Sequence, residues 1–112
     1  MKIITNYQAQ EIAKKSLEKR RKLNYDLMCE FCERYKSFKS YLNKIFNGIK
    51  ENAEKGESAC FIEISYKQYQ DNTPFYEGLA RVLLDGFAHL GYITSAKVDK
   101  NKLEMWIEWY ER

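Results

Sequence analysis

Met28-Cys29-Glu30-Phe31-Cys32-Glu33-Arg34-Tyr35-Lys36-Ser37-Phe38-Lys39-Ser40-Tyr41-Leu42-Asn43-Lys44-Ile45-Phe46-Asn47-Gly48-Ile49 is the stretch that decides the fold. Met28, Phe31, Tyr35, Phe38, Leu42, Ile45 and Ile49 recur in steps of three and four. That is the seam spacing of helices that pack along their length. The same phase runs back through Leu27, Leu17, Ala13 and Ala9, without a proline from Asn6 to Lys55. A straight helix of that span would be roughly 70 Å long at about 1.5 Å per residue, more than the rest of the chain can cover. Two arrangements resolve this. Either the helix breaks, near Lys22–Asp26 or Ser37–Ser40, or it is a continuous rod whose N-terminal part packs on another chain. The long seam predicts self-association through those seven residues, at least to a dimer.

The ends of the helical region are readable. Thr5 or Asn6 suits the N-cap, because a side-chain oxygen accepts an otherwise unpaired first-turn N–H. Gly56 suits the left-handed position after the helix. Ala59–Lys67 alternates apolar Cys60, Ile62, Ile64 and Tyr66 with Phe61, Glu63, Ser65 and Lys67, which predicts a strand. Thr73-Pro74 opens a second helix, with Thr73 as cap and Pro74 at the first helical position. Phe75, Leu79, Val82, Leu83, Phe87 and Leu90 line that helix and Gly91 ends it. Tyr92–Val98 and Lys102–Tyr110 predict two strands joined at Asp99-Lys100-Asn101. The order α-β-α-β-β predicts an α+β domain with a three-stranded, mainly antiparallel sheet. One domain over 1–112 is expected, with 1–25 a basic helical extension and 26–112 the packed unit.

Composition narrows the function. The chain has 112 residues, 45% of them hydrophobic and 15% aromatic, which predicts a folded domain. No apolar run approaches the roughly 20 residues of a membrane span, and the first six residues turn polar too soon for a signal peptide. Three cysteines without an export signal predict a cytoplasmic, reducing setting. The net charge of +3 is uneven: residues 1–58 hold 13 Lys/Arg against 8 Asp/Glu, and residues 59–112 hold 6 against 8.

That unevenness points to the run Lys14–Lys22. On a helix Lys14, Lys15, Lys19, Arg21 and Lys22 share one side, a geometry able to track phosphates. Solubility of an amphipathic helix asks for the same residues. Cys29 and Cys32 form a C-x-x-C pair that Cys60 and His89 would complete into a zinc set, but the pair sits mid-helix and not in a turn. No metal or other cofactor is therefore expected. His89 has no nucleophile, Gly-rich loop or metal motif to serve, and no catalytic residue is assigned. The last strand is more informative. Leu103, Met105, Ile107 and Trp109 take one face, and Glu104, Trp106, Glu108 and Tyr110 the other. With Phe61, the residues Trp106 and Tyr110 would form an aromatic patch edged by Glu104 and Glu108, the composition of a protein-binding surface. Alternatively the long helix crosses that face and buries it.

Residues 45–110 resemble small proteins of phages and prophages of low-GC Gram-positive bacteria. The resemblance lies in a helix ending Ala53-Glu54-Lys55-Gly56, a helix ending Leu90-Gly91-Tyr92, and a hairpin closing on Ile107-Glu108-Trp109. It implies a non-enzymatic protein that binds a host protein or ribonucleoprotein complex, such as an inhibitor of host defence of the anti-CRISPR kind. A small nucleic-acid-binding protein using the basic helix, and a self-associating virion or assembly component, are the alternatives.

Overall fold

The computed structural model describes residues 1–110; positions 111 and 112 of the expected domain lie outside it. Helix α1 spans Asn6–Arg34, α2 Lys36–Glu54 and α3 Thr73–His89. Strands β1 (Ala59–Ile64), β2 (Ile93–Val98) and β3 (Leu103–Glu108) form one sheet in the order β1-β3-β2. Both pairings are antiparallel, so the class is α+β.

The long helical phase is two helices, and the break falls at Tyr35, outside both windows the sequence suggested. Tyr35 is extended, at φ −124° and ψ 112°. No proline or glycine forces it. The elbow lets one apolar stripe serve two partners: α1 lies along α3, and α2 folds onto β1. Phe31 and Phe38 meet edge-on across it, ring centroids 5.7 Å apart. Met28, Phe38, Leu42, Ile45 and Ile49 are buried in the chain's own core, Phe31 is half-buried, and only Tyr35 stays exposed. Most of the seam expected to drive self-association is thus covered inside one chain, with Tyr35 left open at the elbow.

Local signals explain the other boundaries. Thr5 caps α1, with its hydroxyl accepting from the Gln8 N–H at 3.1 Å and Gln8 Oε1 accepting from the Thr5 N–H at 3.0 Å. At α3 the cap is Asn72, one residue before the expected Thr73; its Oδ1 accepts from the Phe75 N–H at 3.1 Å. Pro74 thus sits at the second helical position, where a missing N–H is equally harmless. Gly56 and Gly91 take φ of +82° and +98° after their helices, a region that favours glycine. β1 ends at Ile64, earlier than expected, and a short 3-10 turn covers Lys67–Tyr69.

α2 and α3 pack against the sheet, and α1 lies on α3. Cys60, Ile64, Leu103, Met105 and Ile107 point inward and join Tyr76, Leu79, Ala80, Leu83 and Phe87 of α3. Trp109, expected in that core, is only half-buried at its margin, 6.4 Å from the Tyr92 ring. Ten residues at the start of α1, from Asn6 to Lys15, are exposed apart from half-buried Glu11. The projecting helix raises the radius of gyration to 16.2 Å, against about 13 Å for a compact chain of this length. The docked part begins within the expected 1–25 extension: Arg20 and Asn24 both bond to Asp85 of α3. No helix among the described residues is long and apolar enough to cross a membrane.

Candidate protein-binding surface

β3 is the central strand, and its register builds the sheet's outer face. Trp106 lies between Phe61 of β1 and Ser95 of β2. Phe61 and Trp106 touch, with ring centroids 4.9 Å apart, and keep exposures of 48% and 37%. The core-facing side chains of the sheet meet the helices on the opposite face, and no helix covers this pair. Small Ser95 on the other flank leaves one side of the indole open. Tyr110, just past β3, is 55% exposed. A hydrogen bond to Glu108 holds its phenol above the ordinary tyrosine value.

Charge borders the patch. Glu63 and Glu104 are cross-strand neighbours, an arrangement that would repel were it left alone. Lys102 sits between them, its Nζ 3.5 Å from Glu63 and 3.1 Å from Glu104. Lys97 faces Glu104 from β2. The rim is thus mixed, and Glu108 lies between Ala59 and Ile93 on the neighbouring strands. Such a surface offers large apolar area with polar handles and no reactive group.

The basic helix face comes apart in the structure. Lys14, Lys15 and Lys19 are exposed and stand in no ion pair among the described residues. Lys22 is bound to Asp26 at 2.6 Å and lies over the Tyr25 ring. Arg21 is half-buried, turned into a polar cleft beside Gly91, Tyr92 and Tyr110. The expected row of five is three lysines.

The cysteines do not converge. Cys29 is exposed, Cys32 half-buried and Cys60 buried in the sheet. Burial pushes the thiols of Cys32 and Cys60 up, away from thiolate reactivity. No group of three or more metal-ligating side chains occurs among the described residues. His89 rests against Tyr25, ring centroids 4.9 Å apart.

One feature was not read from the sequence. At the elbow a cavity of about 530 Å³ opens between α1, α2, the 3-10 turn and α3. Six aromatic residues line it: Phe31, Tyr35, Phe38, Tyr66, Tyr69 and Phe75. Tyr69 and Phe75 stack at 3.7 Å, and burial pushes the Tyr66 phenol up to about 12. The aromatics come from three separate segments, so only their density at Tyr66–Tyr76 was a signal. Compared with known proteins, the chain matches no family model, no curated protein and no solved structure.

Proposed function

We propose that the chain is a non-enzymatic binding protein that engages another protein through the open face of its sheet. The observation that carries this reading is the Phe61–Trp106 pair, in contact at 4.9 Å yet exposed on a face that no helix covers. The apolar area this tilted pair leaves in water forgoes burial worth roughly 25 cal/mol per Å², and a partner recovers it. Glu108, on the same face of β3, supplies an acid for a partner's cations, whereas Glu104 is held by Lys102 and Tyr110 lines the cleft with Arg21. Aromatic anchors at the centre with charge at the rim is the usual arrangement of a binding hot spot. The resemblance to phage and prophage proteins adds the setting: a mobile-element protein acting on a host protein complex, with inhibition of host defence as its role.

The test is capture of host proteins on the immobilised chain, comparing wild type with Trp106→Ala and Phe61→Ala variants of unchanged fold. Loss of the same bound species from both variants is expected. A captured species that ignores both substitutions would move the binding surface elsewhere.

Nucleic-acid binding is the second reading, favoured by Lys14, Lys15 and Lys19 on a helix that stands clear of the body. It requires affinity that falls steeply with salt, because each phosphate contact releases counterions. Reversing the three lysines to Glu should abolish it; binding at low salt that survives the reversal excludes this face.

A further inference from the structure

Three glycines sit inside helices, and two have structural reasons. A Cβ on Gly86 would meet Met28 Sδ at 3.0 Å, where α1 presses on α3. A Cβ on Gly48 would meet Cys60 Sγ at 3.2 Å. Gly78 has no such reason. It lies mid-α3, its φ is not left-handed, and a Cβ there meets nothing within 4 Å. A glycine in a helix interior costs about 1 kcal/mol relative to alanine, and here the fold gains nothing in return. Gly78 does line the elbow cavity, between Pro74 and Val82 on the same side of α3. Its missing side chain keeps the cavity wall open to close approach.

We propose that this cavity is a second binding site, for an acidic segment of a partner protein that inserts one bulky apolar side chain. The lining fits the anchor: six aromatics and no charged residue. The surroundings fit the acid. Lys36, Lys39 and Lys67 flank the lining residues along the chain, are exposed, and stand in no ion pair among the described residues. Exposed Glu33 and Glu77 offset part of this charge, while Arg34 is occupied by Glu30 at 3.0 Å. Ser37 faces the cavity from the first turn of α2, which has neither a capping side chain nor an acid; a partner carboxylate complements that end of the helix. The site shares no residue with the Phe61–Trp106 face and stands independently of the reading proposed for it.

Selection of random dodecapeptides on the full-length protein tests the proposal. Enriched peptides are expected to carry one Phe, Trp or Leu among Asp and Glu. Their binding should fall at least tenfold in Gly78→Phe, which fills the cavity, and in Lys36→Glu combined with Lys39→Glu. It should persist in Trp106→Ala. Thermal melts give the second readout: Gly78→Ala should melt higher than wild type. Basic peptides, peptides indifferent to Gly78→Phe, or no enrichment would overturn the proposal. So would a melting temperature lowered by Gly78→Ala, which would make the glycine structural. A dimer that Gly78→Phe dissociates would assign the cavity to a second copy of this chain instead.

Discussion

Arg20 and Asp85, 65 positions apart, form a two-pronged ion pair that fastens α1 to α3. Arg20 Nε donates to Asp85 Oδ2 at 2.9 Å and Nη2 donates to Oδ1 at 3.0 Å. Asn24, one turn further along α1, donates to the same Oδ2 at 2.6 Å. Asp85 and Asn24 are buried while the Arg20 side chain is half-exposed. The carboxylate is therefore the member whose loss matters. Asp85→Ala leaves the Asn24 amide buried without its partner, a desolvation cost of about 1–3 kcal/mol. Denaturant unfolding should show that loss, and a smaller one for Arg20→Ala, whose site water can reach.

The same cluster makes the docking of α1 sensitive to acid. Burial alone would raise the Asp85 carboxyl, but hydrogen bonds from Arg20 and Asn24, with the charges of Arg20 and Arg21, outweigh it and hold the pKa below the usual value. A depressed folded-state pKa contributes stability that is fully present above the unfolded value, about 3.9. That contribution disappears as pH falls through the lowered folded value. Stability should drop below about pH 4 in wild type, and less steeply in Asp85→Asn, which has no carboxyl to titrate. Equal acid slopes for the two proteins would remove Asp85 from the account.

At the alkaline end the elbow cavity titrates. Burial first, then neighbouring Tyr41, Tyr76 and Tyr69, push the Tyr66 phenol from 10.0 to about 12. Because the folded state holds this proton more tightly, the contribution is complete below pH 10 and is lost as pH rises through about 12. Tyr66→Phe should flatten the loss of stability over that window. Absorbance titration of phenolate should show one fewer late-ionising tyrosine in the variant.

What the sequence makes legible depends on how locally each feature is determined. The two faces of β3 follow from alternation alone, since side chains on a strand have a period of two. Gly56 and Gly91 mark helix ends because only glycine adopts their φ cheaply. The break at Tyr35 was not legible to the residue: no local breaker stands there, and the elbow arises from competition between α3 and β1 for one apolar stripe. For the same reason the stripe read as an oligomer seam, although its length matches two inward surfaces. Tyr76, fully buried, was missed because it lies off the six-residue stripe of α3; its hydroxyl accepts from the Tyr66 N–H at 2.9 Å. Asp85 beside Leu83, Leu84 and Phe87 was a usable signal, an acid on an apolar helix that needs a buried partner. The partner, 65 positions away, was not.

The division between core and recognition face gives the last prediction. Ile107 is fully buried and Trp106, its neighbour on β3, is 37% exposed. Ile107→Ala removes packed methyl groups from a closed core and should cost about 2–5 kcal/mol. Trp106→Ala removes a larger side chain, but from a face open to water. Its loss is the contact with Phe61, about 0.5–1.5 kcal/mol for an aromatic pair beyond its buried area, plus the part of the indole that neighbouring strands cover, and it should stay below that of Ile107→Ala. Phe61→Ala should cost a similar amount, and the double variant less than the sum, because the second change removes a contact already gone. Size alone predicts the reverse order, with tryptophan truncation the more damaging. Urea midpoints of the four proteins separate the two outcomes. A Trp106→Ala loss as large as that of Ile107→Ala would mean that the outer face is built for stability, and the binding role assigned to Phe61 and Trp106 would fall with it.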